Sequence, residues 1–173
     1  SRASGASPAE ITAFAQNFRV GTSGSGKEQS FRAARLALSD RIADGTNAGF
    51  IRDGARLAVI MISDEDDCTD TAPPFATTNT NCHDDAFKLA SLDPVGEFAA
   101  FLLGPVAGEQ RDVVVGAFFW PPGAPACTAP ADALDDGDRF TWLVDAVGAA
   151  RMRTGNVCAD FSTSLIQFAE ILM

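Results

Sequence analysis

Chemistry in this chain concentrates in one stretch, Leu57 to Cys68, which reads LAVIMISDEDDC. The apolar run Leu57 to Ile62 is unbroken, and the acids Asp64, Glu65, Asp66 and Asp67 follow almost at once. A short continuous run rich in Val and Ile predicts a strand buried on both faces of a sheet. Folds of that kind bind ligands just beyond the carboxyl ends of their strands. The acids therefore stand where an α/β protein would bind a ligand. A solvated acidic turn is the plainer alternative, and the position directly after a buried strand favours a site.

A second stretch, Gly21-Thr22-Ser23-Gly24-Ser25-Gly26-Lys27, nearly matches the phosphate-binding pattern GxxxxGK[ST]. The match fails at Glu28, where a hydroxyl should meet magnesium and where a negative charge would repel phosphate. Phe18 to Val20 is also too short for the buried strand that should precede such a loop. A calcium loop of the EF-hand type fails too. Asp64, Asp66 and Asp70 alternate, but Cys68 and Thr69 stand where an oxygen ligand and a glycine are needed. The remaining chemistry is a divalent-cation site split between two loops. A hydroxyl of Thr22 or Ser25 would open a helix, and Asp64 would close a strand. Mg²⁺ accepts such oxygen ligands and keeps further positions for water or a partner's carboxylate.

The elements that must carry these residues follow from periodicity and capping. Ser7-Pro8-Ala9-Glu10 is a capping box that starts a helix with Ile11, Phe14, Ala15 and Phe18 on one face. A helix over about 27–43 would turn Phe31, Ala34, Leu38 and Ile42 inward. The strand at about 56–63 follows, then a long loop over 64–83. A short helix covers 84–91, and another runs from Asp93-Pro94 to about Leu103, with Val95, Phe98, Ala99 and Leu102 inward. Asp112 to Phe119, DVVVGAFF, is the second clear buried strand. Phe140, Leu143, Val144 and Val147 mark a helix, and Asn156-Val157-Cys158 a short edge strand. Asp160 would cap a last helix with Phe161, Leu165, Phe168, Ala169 and Leu172 on one face. Strands joined by helices imply a parallel sheet. Two clear strands are fewer than such sheets usually hold, so further strands are expected from outside this sequence, upstream or in another polypeptide.

At 173 residues and 46% hydrophobic content the chain is one globular domain with a real core. A formal net charge of −10 disfavours nucleic acid and anionic membrane surfaces as partners. No apolar run reaches the length of a membrane span, and no leader peptide is recognisable. The four cysteines, Cys68, Cys82, Cys127 and Cys158, form no CxxC, so a disulfide framework fits better than zinc. Sequential closure would pair Cys68 with Cys82 and Cys127 with Cys158, although three connectivities are compatible with the sequence. Disulfides imply an oxidising compartment: secreted, periplasmic or cell-surface. His83, the lone histidine, reads as a loop residue, and Trp120 and Trp142 as packing. No nucleophile–base pair or acid pair is identifiable, so no enzyme is expected.

From Gly21 to Cys68 the order and spacing resemble the later part of a von Willebrand factor type A (VWA) domain. That family opens a helix with a GxT/S loop and ends a long apolar strand in an aspartate. Here these are the GTSGSG loop before Phe31-Arg32-Ala33-Ala34, and Ile60-Met61-Ile62-Ser63-Asp64. The run Asn47-Ala48-Gly49-Phe50-Ile51-Arg52 followed by ISDEDDC is similar to a subgroup of exported bacterial proteins. The resemblance implies a Rossmann-like three-layer α/β sandwich over 1–173, with a mostly parallel central sheet lacking its first strands. It also implies a metal-ion-dependent adhesion site (MIDAS) for Mg²⁺, Ca²⁺ or Mn²⁺. Asp64 is then the third-loop ligand, and Thr22 or Ser25 the second-loop hydroxyl. The DxSxS segment of the family occurs nowhere in this chain. The implied function is non-enzymatic adhesion to a protein ligand or assembly partner, with a separate chain able to complete the sheet. An assembly scaffold with a degenerate metal site is the rival, and a nucleotide hydrolase using Gly21 to Lys27 the remoter one.

Overall fold

The computed structural model describes residues 7–17, 26–70, 82–125, 136–160 and 162–172. In chain order these form α1 (Pro8–Asn17), α2 (Ser30–Leu38), α3 (Asp40–Ala43), β1 (Leu57–Ile62), α4 (Asp85–Ser91), α5 (Val95–Leu103), β2 (Pro105–Val106), β3 (Glu109–Gln110), β4 (Val113–Phe119), α6 (Asp138–Val147), β5 (Met152–Asn156) and α7 (Ser162–Leu172).

The two apolar runs become β1 and β4. They pair in parallel, from Leu57 opposite Val113 to Ile62 opposite Phe118. β5 adds in parallel on the far side of β4, giving the order β1-β4-β5. Parallel strands need long crossovers, and α5 and α6 lie within the two connections. The fold is thus α/β with a small parallel sheet. Alternation along β4 sends Val113, Val115, Ala117 and Phe119 to one face, where they meet Val59 and Met61 of β1. Phe31 of α2, Phe98 and Leu102 of α5, and Phe140 and Leu143 of α6 cover that face. Phe31 stacks on Phe98 at 4.5 Å and meets Phe140 edge-on at 5.4 Å. The other face carries α7. A side chain at Gly116 would press on the Phe168 ring at 3.3 Å, and one at Gly155 would strike Phe118 at 2.6 Å and Ser164 at 3.0 Å. Both glycines let α7 lie close to the sheet.

Several expectations need correction. The helix expected over 27–43 breaks at Ser39, whose hydroxyl donates to the Arg35 carbonyl at 2.6 Å. A serine side chain that bonds its own preceding turn competes with helix propagation. The edge strand expected at Asn156-Val157-Cys158 ends where it was expected to begin, since β5 spans Met152–Asn156. Its MRTGN sequence carries little strand propensity. It is a strand because β4 offers it a partner. The β2–β3 ribbon, turned at Ala107 (φ 54°) and Gly108 (φ 80°), was not expected. Two left-handed residues in succession suit a tight hairpin turn. On α7 only Phe168 of the described residues on the expected inner face is buried, and Leu165 and Ala169 are exposed. The helix packs mainly on β5 and β4, and Arg56, just before β1, donates to its Ile171 carbonyl at 2.9 Å. The inner faces of α5 and α6, by contrast, are buried as their spacing predicts, with Val144 only half-buried.

Candidate functional site at the carboxyl end of the sheet

β1 delivers its acids to the carboxyl end of the sheet. Ser63 N still donates to Phe118 O at 3.0 Å, so the ladder runs one residue past Ile62. The Ser63 hydroxyl then accepts from Glu65 N at 3.3 Å. A serine that bonds the amide two residues on makes a local turn. Asp64 is left on the surface, while Asp66 and Asp67 pass inward, 2% and 0% exposed.

Each buried aspartate serves a different helix. Asp67 Oδ1 accepts from Phe31 N at 2.9 Å and from the Thr69 hydroxyl at 2.7 Å, and Oδ2 accepts from Thr69 N at 3.1 Å. Thr69 Oγ1 in turn accepts from Arg32 N at 3.1 Å. The first turn of α2 is thereby capped from the loop after β1, since Gln29 provides no side-chain cap. Asp66 does the same for α6, accepting from Arg139 N at 3.1 Å. A carboxylate at a helix amino end also meets the positive pole of the helix dipole.

Buried cations complete the network. Arg139 Nε reaches Asp67 at 3.1 Å, its terminal nitrogen donates to Asp93 O at 2.8 Å, and its guanidinium lies over the Phe31 ring at 5.5 Å. Lys88 Nζ stands 3.0 Å from both Asp66 and Asp138. Lys27 Nζ pairs with Asp70 at 2.5 Å. A bridge between Cys68 and Cys82 fastens the same loop. Burial pushes the Asp66 carboxyl up to about 6, against the pull of Lys88 and of the Arg139 and Asp67 amides. Burial also raises Asp67, against the pull of Arg139.

Asp64 has a different neighbour. Glu28, on the approach to α2, is raised by partial burial and then by the negative charge of Asp64. Two carboxylates, one at the end of β1 and one before α2, thus share a region of negative potential. A divalent cation would relieve that repulsion. Among the described residues no group of three or more His, Cys, Asp or Glu is placed to hold a metal. Thr22 and Ser25, the expected hydroxyl ligands, lie outside the described residues, as does Cys127 of the second expected bridge. The acidic stretch therefore divides. Asp66, Asp67 and Asp70 are structural, and Asp64 with Glu28 is what a ligand could meet. Lys27, the cation of the phosphate-loop pattern, is engaged by Asp70. His83 is exposed, and Trp120 is half-buried with its indole N–H on Ala124 O at 3.2 Å.

Sequence reasoning missed Lys88, Arg139 and Thr69. Lys88 lies in DAFKLAS and Arg139 in DRFTW, and nothing local marks either as buried. The only signal was indirect: four clustered acids beside a buried strand need internal counter-charge. No family model, curated protein or solved structure matches the chain.

Proposed function

We propose that this chain is a non-enzymatic binding module of VWA type, whose contact surface is the carboxyl end of the parallel sheet. Asp64 is its principal ligand to a divalent cation, Mg²⁺, Mn²⁺ or Ca²⁺. Glu28 lies beside it, and a hydroxyl of Thr22 or Ser25 belongs to the same site. Bound there, the cation supplies a positive charge with an open position for a carboxylate of a protein partner. The observation that carries this reading is the sorting of the acids after β1. Asp66 and Asp67 are buried and satisfied, while Asp64 stands exposed next to a second carboxylate. The Cys68–Cys82 bridge favours an exported protein, secreted, periplasmic or at the cell surface. No helix among the described residues is long and apolar enough to cross a membrane.

The test is calorimetric titration with Mg²⁺, Mn²⁺, Ca²⁺ and, separately, ATP. This reading expects saturable heat with at least one of the metals, absent from Asp64→Ala, and none with ATP. Heat with ATP would point to the hydrolase. A second reading has its own support: Lys27, Lys88 and Arg139 tie most of the acidic loop into the frame. A scaffold with a degenerate site would give no metal heat at all.

A further inference from the structure

We infer that the cleft between α2 and the approach to α5 binds a small zwitterion, its carboxylate on Arg32 and Arg35 and its ammonium on Asp93. The inference stands apart from the cation site, which uses none of these residues. Arg32 and Arg35 lie three apart on α2, so they share one side of the helix. Asp93 precedes the Pro94 cap of α5. With Asp40, Thr69 and Asp70 these residues line a cavity of about 270 Å³.

The charges that a ligand could use here are the unspent ones. Neither arginine makes an ion pair among the described residues. Arg32 donates only to the Asp70 carbonyl, at 3.4 Å, and the Arg35 guanidinium lies over the Phe101 ring at 5.2 Å. Two like charges on one side of a helix repel, and a guanidinium fork matches a carboxylate. The Asp70 carboxylate is already taken by Lys27 at 2.5 Å and Gln29 at 3.4 Å. The Thr69 hydroxyl is held between Asp67 and Arg32 N. Asp40, exposed at the rim, accepts from the Ser39 hydroxyl at 3.2 Å. Asp93 differs from these acids. Its Oδ1 is buried without a donor, and Oδ2 is the oxygen left for a ligand to reach. A carboxylate in that condition is costly and calls for a donor. Its backbone is fixed, since Asp93 N donates to Thr69 O at 2.9 Å and Asp93 O accepts from Arg139 at 2.8 Å. The loop therefore holds the carboxylate where it is.

These charges select the ligand. An anion alone would meet Asp93 and a chain of net charge −10. A cation alone would meet two guanidiniums. A molecule carrying ammonium and carboxylate together answers both. The cavity lies just below the range of about 300–1,000 Å³ usual for drug-sized ligands, which sets the scale of the ligand at a free amino acid.

The probes are L-alanine, L-serine and L-leucine, each with its N-acetyl derivative, which lacks the ammonium, and its amide, which lacks the carboxylate. Each is added to the intact chain at up to about 10 mM, while NMR follows the side-chain N–H signals of Arg32 and Arg35 and the backbone amide of Asp93. At least one amino acid should shift all three signals saturably, and its two derivatives should bind about tenfold more weakly or worse. Asp93→Asn and Arg35→Met change charge with little change of volume. Each should weaken binding about tenfold or more and leave signals far from the cleft in place. No saturable shift with any of the three amino acids would overturn the inference and leave Asp93 to water. Equal binding of the N-acetyl form would make this a plain anion site, and equal binding of the amide a plain cation site; either overturns it. So would undiminished binding by either variant.

Discussion

Replacing Arg139 by methionine tests the internal ion network at its most sensitive point. Arg139 is 1% exposed and Asp67 is fully buried. Methionine keeps much of the stem's volume and its contact with the Phe31 ring. It removes the charge that faces Asp67 at 3.1 Å and the donor to Asp93 O. Asp67 would keep its bonds from Phe31 N and Thr69, but as a buried anion without a counter-cation. Breaking one side of a buried pair typically costs about 3–5 kcal/mol, against a total stability of about 5–15 kcal/mol. With a urea dependence near 2 kcal/mol per molar, the unfolding midpoint should fall by about 1.5–2.5 M. Urea titration followed by far-ultraviolet circular dichroism measures this, with the disulfide kept oxidised. Adding Asp67→Asn should recover part of the loss, because the amide oxygen can still accept from Phe31 N. A midpoint within about 0.5 M of the parent would refute the reasoning. It would mean that Asp67 carries no charge in the folded state, or that Arg139 does not neutralise it.

Further outcomes follow from the same loop. Asp66 is held at about 6 in the folded chain, against an ordinary value of 3.8, so the folded state keeps its proton over that range. Its contribution to stability is complete below about pH 4 and is lost as pH rises through 6. Lys88, Asp138 and the Arg139 amide surround it, and Asp67 shifts in the same direction. Stability at pH 5 should therefore exceed that at pH 7 by about 1 kcal/mol. Urea midpoints at the two pH values check this, and Asp66→Asn should reduce the difference, leaving only what Asp67 contributes in the same direction. The Cys68–Cys82 bridge spans a sequence separation of 14, a closure worth about 3 kcal/mol. Serine at both positions should lower the melting temperature by about 10 °C. A change under about 2 °C would show that the acidic loop holds its shape through its ion pairs alone.

Local pattern made much of this molecule legible. The two apolar runs became parallel strands, and the spacing of Val95, Phe98, Ala99 and Leu102 gave the inner face of α5. β5 was misplaced because its sequence is weakly strand-like and its existence depends on β4 as a neighbour. The break at Ser39 turned on one hydroxyl choosing a carbonyl of its own helix. The acidic stretch was located correctly as the organising feature, but its division of labour was hidden. Asp66 and Asp67 are adjacent in sequence, yet they cap two helices whose sequence positions lie far apart on either side. Only tertiary packing brings Phe31 and Arg139 to one loop.

The most direct test of the binding reading is paramagnetic relaxation by Mn²⁺ at substoichiometric concentration, read on the backbone amides. The account predicts that Ser63, Asp64, Glu65 and Glu28 broaden first, and that Asp64→Ala abolishes the effect while Asp85→Ala, at an exposed acid elsewhere, leaves it intact. Broadening spread over exposed acids in general, or unchanged in Asp64→Ala, would contradict it.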